Sequence, residues 1–503
     1  MAFLRSTVLL LSLSAVALAL LPSFEEVTAA VGLPVGNPRK KYGGPTIADL
    51  DHDGWPDLIL CHHDNFFARV FYNNRGRFSR GDFSVWVDTH AIVPAPVSPT
   101  SKNVRFSLSV GGAFGRYPTR PQLFEANPSR QISNITTSAG VDKAGGRGRT
   151  AIYMDLSLSK NHKHLDVVFM NARPKDNGVS HFGYENKGSY YQLRALPGFE
   201  YDRNWYGTAI DIDGDRNMEL IVYYNQLSVY KLTAPFTFAD ITSDVFPPGI
   251  ERYGVVAVAE IDFDNDGDFD LYVARTKSGD LKWSPGAHFD DYLFENRNGK
   301  YVDVTDKAGI PRGTTSRGVT VADFNNDGYM DLLITQYSEP DIVLMNQGDG
   351  TFAREDNLLY RPADVRGDNA VAFDYDLDGR VDVISSQGDQ HELNYRGIYR
   401  LFRNKLPRRW YTRYLHVRVG SAPDGSATAL HAVVTVAVGG GARKVHQRVG
   451  TPGATVSTSF IETLHFGLGR HSYVDSVEVV YSSGYKVRKT GVWHGRTVNI
   501  GVV

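Results

Sequence analysis

A nine-residue acidic pattern, with carboxylates at alternate positions and a final one four residues on, recurs five times in this 503-residue chain, each time between two short apolar runs. The copies are Asp49, Asp51, Asp53 and Asp57; Asp211, Asp213, Asp215 and Glu219; Asp262, Asp264, Asp266 and Asp270; Asp323, Asn325, Asp327 and Asp331; and Asp374, Asp376, Asp378 and Asp382. Four of them carry glycine at the sixth position, namely Gly54, Gly267, Gly328 and Gly379. Alternate residues point inward, and glycine permits the positive φ that folds the chain back on itself. Such a loop supplies the oxygens that a hard cation takes, roughly six to eight at about 2.3–2.6 Å, so the pattern predicts about five Ca2+ sites. An EF-hand opens similarly but closes with a later Glu and is flanked by helices. Here the flanks read as strands, as in Val319-Thr-Val-Ala322 before one loop and Leu332-Leu-Ile-Thr335 after it.

The spacing of the loops, mostly about fifty to sixty residues, is the period of a four-stranded propeller blade. Roughly twenty residues after a loop comes an aromatic-Asn-Gly phrase, as at Tyr72-Asn73, Glu295-Asn296 and Met345-Asn346, and then a strand ending in a turn. Two decayed copies fill the gap after the first loop. One contains Phe106-Ser-Leu-Ser-Val110, the other Ala151-Ile-Tyr-Met-Asp155, a basic insertion from Lys160 to His164, and Asp166. Neither keeps enough carboxylates for calcium, which gives seven repeats and five metal loops. Residues 24–33 match residues 301–310 closely yet precede the first loop, while the seventh repeat lacks that strand. The N-terminal segment is therefore expected to complete the seventh blade and remove the open edges of the ring.

Residues 1–23 read as a signal peptide: an Arg at position 5, then an apolar stretch too short for a comfortable span. No later segment reads as a membrane span, so the expected product is secreted and extracellular. Calcium-rich external fluid suits exposed carboxylate loops. The single cysteine, Cys61, lies in the apolar strand after the first loop and reads as a buried residue, so no disulfide staples the fold. Asn134-Ile-Thr136 is a glycosylation sequon.

A boundary falls near Asn404. Residues 24–404 are expected to be an all-β, seven-bladed propeller. Residues 405–503 alternate apolar and polar residues between glycine turns, as in Tyr414-Leu-His-Val-Arg-Val419 and Val474-Asp-Ser-Val-Glu-Val-Val-Tyr481, and read as a small β-sandwich. With Leu464-His-Phe-Gly-Leu-Gly469 and Asp475-Ser-Val-Glu-Val479 in that tail, the chain resembles a known family: FG-GAP/VCBS repeats of integrin-type propellers followed by an ASPIC/UnbV domain, in the order of the cartilage acidic protein family. The resemblance implies a calcium-binding, non-enzymatic protein of adhesion or extracellular matrix. One departure stands out, because the loop at 211 has Gly214 and Arg216 where the others place glycine sixth.

The formal charge is −2, and five divalent ions would make the chain net positive. Residues 405–503 hold thirteen Lys/Arg against four Asp/Glu. Clusters at Arg408, Arg409, Arg413 and Arg418, at Arg443, Lys444, His446 and Arg448, and at Lys486, Arg488 and Lys489 would attract polyanions if alternate members shared a face. The expected partner is an extracellular protein or an anionic glycan rather than nucleic acid. No nucleophile elbow, zinc-protease helix or phosphate loop is present; His391-Glu-Leu-Asn-Tyr395 lacks the second histidine. His62 with His63, and His162 with His164, are of a type that binds transition metals, but each pair lies beside a repeat loop and reads as surface residues. The alternative reading is an enzyme or accessory factor acting on an extracellular or secondary metabolite, since a propeller can hold catalytic groups that no motif reveals.

Overall fold

The computed structural model describes residues 21–34, 44–62, 66–111, 119–158, 163–172, 180–200, 202–276, 289–337, 339–361, 365–387, 398–409, 412–450 and 458–503. The signal segment, apart from residues 21–23, lies outside them, as do His63, His162 and His391. The described chain is nearly all β, with one short α-helix, Thr242–Val245. Among the described residues no helix is long and apolar enough to cross a membrane.

Seven four-stranded antiparallel sheets follow one another from Pro45 to Asn404. Their first strands lie innermost around a ring, each against the next sheet's first strand except that the fifth meets the second strand of the fourth sheet, and the seventh returns to the first. Four of these inner strands, Pro45–Ala48, Gly148–Met154, Ser316–Ala322 and Gly367–Phe373, are buried along their whole length, and the other three nearly so. Flanked by neighbours on both faces, they read as apolar runs rather than alternating ones. Outer strands such as Phe78–Val87 meet solvent and mix polar with apolar residues. The two decayed repeats still form complete sheets, Thr89 to Asn134 and Gly148 to Arg194.

The ring closes as the N-terminal phrase predicts. Phe24–Glu26 pairs with Ile398–Asn404 as the fourth strand of the seventh sheet, Phe24 opposite Asn404 and Glu26 opposite Phe402. The Phe24 ring stands edge-on to Phe324 at 5.9 Å, a geometry worth about 0.5–1.5 kcal/mol beyond area burial. The following turn then reaches the first blade, where Val31 accepts a hydrogen bond from the Phe78 amide. Gly32, at φ 91°, makes that approach possible, since a Cβ there would sit 2.4 Å from the Phe78 carbonyl oxygen.

Neighbouring blades are joined by the asparagine of the aromatic-Asn phrase. Its side-chain amide donates to the carbonyl of the second loop residue in the preceding blade: Asn73 to Tyr375 (2.8 Å), Asn296 to Ile212 (2.8 Å), Asn346 to Phe263 (2.7 Å) and Asn404 to Phe324 (2.9 Å). The same residue's backbone N–H donates to the last carboxylate of its own loop, Asp57, Asp270, Asp331 or Asp382. The other oxygen of that carboxylate takes the N–H of the second loop residue, Leu50, Phe263, Phe324 or Tyr375. Loop, third strand and adjacent blade are thus tied at one point.

The tail forms two sheets. Arg413–Val419 lies between Thr463–Gly469 and Thr497–Ile500, and the second sheet runs Arg443–Arg448, Val433–Val438, Tyr473–Val480, Lys486–Trp493. Two of these strands, Arg443–Arg448 and Lys486–Trp493, do not show in the alternation because both sit at the sheet's edges and are polar on both faces. Leu415, Val417 and Val419 fill the space between the sheets with Leu464, Phe466 and Leu468, so His416 and Arg418 point the other way.

Two outcomes follow for the fold. Removing residues 24–33 should expose the edge of the seventh sheet and give aggregated or retained protein; secretion and melting like the intact chain would overturn strand exchange as the closure. Replacing Asn296 by Ala should lower stability in denaturant unfolding by about 1–3 kcal/mol, because buried partners lose their hydrogen bonds.

Candidate metal centre

All five acidic loops connect the first and second strands of a blade, and they adopt one conformation. The fourth and sixth residues are left-handed in every copy: His52 and Gly54 (φ 63° and 93°), Gly214 and Arg216 (75° and 71°), Asn265 and Gly267 (61° and 98°), Asn326 and Gly328 (61° and 90°), Leu377 and Gly379 (50° and 88°). Arg216 therefore takes the conformation that glycine supplies elsewhere, at a cost of about 1–2 kcal/mol. In four loops the first carboxylate accepts the amide of the sixth residue, as from Gly54 to Asp49 (2.9 Å) and Gly379 to Asp374 (2.7 Å).

What remains inside the loops is a surplus of buried acceptors. Asp49 Oδ1, Asp211 Oδ1, Asp376 Oδ1 and both oxygens of Asp262 are shielded from solvent without a hydrogen-bond donor. Candidate ligand atoms of Asp49, Asp51 and Asp53, of Asp211, Asp213 and Asp215, and of Asp262, Asp264 and Asp270 lie within 4.8 Å of one another. Burial raises these carboxyls: Asp49 to about 7, against the pull of Arg418; Asp57 to about 8; Asp262 to about 8, with Asp264 and Asp266 adding repulsion; and Asp270 to about 9. Asp323, Asp331 and Asp382 are pushed well above the carboxylate range for the same reason. A buried carboxylate without a donor is costly unless paired with a cation, so the donor set fits a hard divalent ion.

The loops differ in how far side chains already supply positive charge, which their own sequences do not reveal. At 211 the Lys231 ammonium stands among the carboxylates, in contact with Asp213 and 3.1 and 3.2 Å from Asp215 and Glu219. At 49, Arg130 from the second blade reaches Asp51 (2.6 Å) and Asp53 (3.7 Å). At 374, Arg403 bridges Asp376 (2.7 Å) and Asp378 (2.9 Å), and Arg380 also contacts Asp378. No basic side chain among the described residues is paired with the 262 loop's carboxylates.

The tail sits directly on this face. Arg418 donates to Asp49 (2.6 Å), His416 lies 3.0 Å from Asp374, and Arg443 donates to the Asp327 carbonyl (2.5 Å). The His465 Nε2 group lies 2.6 Å from Asn326 Oδ1, and Arg448 pairs with Glu260 at 3.0 Å with both side chains largely buried. The Phe460 amide donates to Ile47 in the first inner strand (2.8 Å). These contacts correct the reading of the second basic cluster as a shared outward surface. Arg443 and Arg448, with Arg418 of the first cluster, are spent on the propeller, because alternation sends that face of the tail toward the acidic loops. Arg408, Arg409, Lys444, Lys486, Arg488 and Lys489 remain exposed.

Cys61 is buried, its thiol 3.4 Å from the Gly44 carbonyl. Asn134 is exposed at a strand end, sterically open to a glycan. In the third blade Asp166 keeps the bracing role of the last loop carboxylate, accepting from Leu156 and Asn186, without the rest of the acidic set.

Residues 211–273 and 262–334 match the FG-GAP-like repeat family, and residues 422–501 match the ASPIC and UnbV family. Cartilage acidic protein 1 of Mus musculus is 27% identical over 237 residues, 43% of this chain and 34% of that protein. Its Xenopus tropicalis counterpart is 27% identical over 306 residues, 56% of this chain and 43% of that protein. The chain thus spans between a third and a half of the length of these relatives. Among solved structures, the BP39L lectin from Burkholderia pseudomallei is similar with a TM-score of 0.46 and 11% identity, covering 72% of this chain and 98% of the lectin. YCF48 from Cyanidioschyzon merolae gives 0.44 and 10%, covering 76% and 98%. The chain thus carries FG-GAP-like repeats within residues 211–334 and an ASPIC and UnbV domain over residues 422–501.

Proposed function

We propose that this is a secreted calcium-binding propeller that serves as an adhesion, extracellular-matrix or ligand-binding module, and that calcium in its acidic loops rigidifies the face on which the tail is seated. The observation that carries the reading is the set of buried, donor-less carboxylate oxygens converging in the loops, above all the two of Asp262. The likeness to cartilage acidic protein 1 supports the extracellular setting. Binding, not turnover, is the activity this reading assigns. The ligand is an extracellular protein or an anionic glycan, the latter drawn by the exposed edge strand Lys486–Trp493, which presents Lys486, Arg488 and Lys489.

Calcium should stabilise each site by roughly RT ln(1 + [L]/Kd). Excess EGTA should lower the melting temperature, with recovery by calcium but less by magnesium, whose octahedral demand suits the loops poorly. An unchanged melt would sink the reading. Replacing Asp264 and Asp266 by Ala should remove more of the calcium response than replacing Asp213 and Asp215, where Lys231 already supplies a positive charge. Metal-free protein carries protons on carboxyls such as Asp262 and Asp270, raised to about 8 and about 9. A divalent ion favours their ionised form, so calcium binding at pH 7 should release protons. Titration calorimetry in buffers of different ionisation enthalpy measures that release.

Heparin or another sulfated polysaccharide should be retained by the protein with a strength that falls steeply with salt. Charge reversal at Lys486, Arg488 and Lys489 should weaken retention. Reversal at Arg448 should instead destabilise the fold by about 3 kcal/mol or more, since it leaves Glu260 buried without its partner. Retention no stronger than that of a neutral protein would remove the glycan from the proposal and leave a protein ligand.

A further inference from the structure

One group at the junction of propeller and tail has a chemistry different from the hard-oxygen loops. His416, on Arg413–Val419, and His465, on Thr463–Gly469, are direct cross-strand partners on the face that meets the propeller. His416 Nε2 lies 3.0 Å from Asp374 Oδ2 and 3.2 Å from His465 Nδ1, and the three candidate ligand atoms are all within 4.8 Å of one another. His416 and Asp374 are buried.

The hydrogen bonds fix which atoms carry lone pairs. Asn326 Nδ2 donates to the Gly379 carbonyl (2.8 Å), so its Oδ1 is the end that faces His465 Nε2 at 2.6 Å. His465 Nε2 must therefore hold the proton, and in the neutral ring Nδ1 presents a lone pair toward His416. Two acceptors, that nitrogen and Asp374 Oδ2, then converge on His416 Nε2, which as a donor has a single proton to give. At the 49 loop the corresponding carboxylate oxygen meets a guanidinium, Arg418, which also reaches His52. At the 374 loop the tail brings two imidazoles instead.

We propose that Asp374, His416 and His465 form a transition-metal site, of the kind that holds zinc, which locks the tail onto the seventh blade. Bonds of about 2.0–2.1 Å in a tetrahedron place ligand atoms about 3.3 Å apart, close to the two distances found. Two imidazoles and a carboxylate are a set that zinc takes, and a hydrogen bond to the far nitrogen of a ligating histidine is what orients such a ring. A cavity of about 80 Å³ lined by His465 and Asp374 adjoins the group, room for a water as fourth ligand. Calcium in the 374 loop does not conflict with it, because Asp374 Oδ1 accepts the Asp378 amide inside the loop, while Oδ2 takes the Gly379 amide on one lone pair and faces His416 with the other.

The test uses the full secreted chain, stripped with a chelator, restored to millimolar calcium and titrated with Co2+. The site predicts uptake of one equivalent with the intense visible bands of tetrahedral cobalt, displaced by Zn2+ and unaffected by more calcium. His416→Gln and His465→Gln should each abolish those bands while keeping the calcium-dependent melt, and His471→Gln, on the tail's surface, should not. Asn326→Gly, which suits the positive φ and removes the acceptor, should weaken Zn2+ binding about 10- to 100-fold. No uptake by the wild-type chain, bands of octahedral strength only, displacement by calcium, or bands that survive both histidine replacements would each overturn the proposal. Because the wild-type titration stands alone, a variant that fails to fold does not protect it.

Discussion

The last carboxylate of each acidic loop is the point on which the rest of the propeller depends. In four of the five loops its two oxygens are occupied before any ion arrives, one by an amide of its own loop and one by the amide of an asparagine on the third strand, whereas at 211 the Lys231 ammonium approaches the second oxygen of Glu219. That asparagine then reaches the adjacent blade's loop. A single buried acid therefore sets loop shape, blade curvature and blade spacing together, and any charge placed in the loop acts on the ring as a whole. Where the full motif is missing, in the second and third blades, the sheets persist, because strand pairing and apolar inner strands suffice locally.

The tail extends the same electrostatics. Its alternating strands put Leu415, Val417 and Val419 into its own core and turn His416 and Arg418 toward the acidic face. Three basic residues that look like part of an external field, Arg418, Arg443 and Arg448, are counter-charges or donors to a surface within the same molecule. The consequence is coupling at the 49 and 374 loops: Asp49 and Asp374 each meet a tail side chain, Arg418 or His416, through Oδ2, so a cation inside the loop and a tail side chain outside it act on the same carboxylate. A ligand that binds the seam between the two parts would sense both.

The loops are not five equal sites. Lys231, Arg130 and the pair Arg380 and Arg403 bring different amounts of positive charge to three of them, while the 262 loop is left with buried oxygens unpaired. A shared motif thus gives a graded series, with the bare loop depending most on an external ion.

The amino-acid sequence by itself determined the repeats, their number, the loop residues and the closing strand, because each is written in local periodicity: glycine where φ must be positive, alternate carboxylates, apolar runs of strand length. It also marked the tail as a separate β domain through period-two alternation, although the strands Arg443–Arg448 and Lys486–Trp493 escaped that rule, being polar edges. Which cations approach which loop was decided only in three dimensions. Arg130 lies 79 residues from Asp51, and Arg418 lies 369 from Asp49. The pairing of His416 with His465 over Asp374 likewise exists only once two strands of the tail come into register and settle on the seventh blade. Contacts of that separation leave no periodic trace in a single chain, since they depend on how folded surfaces meet.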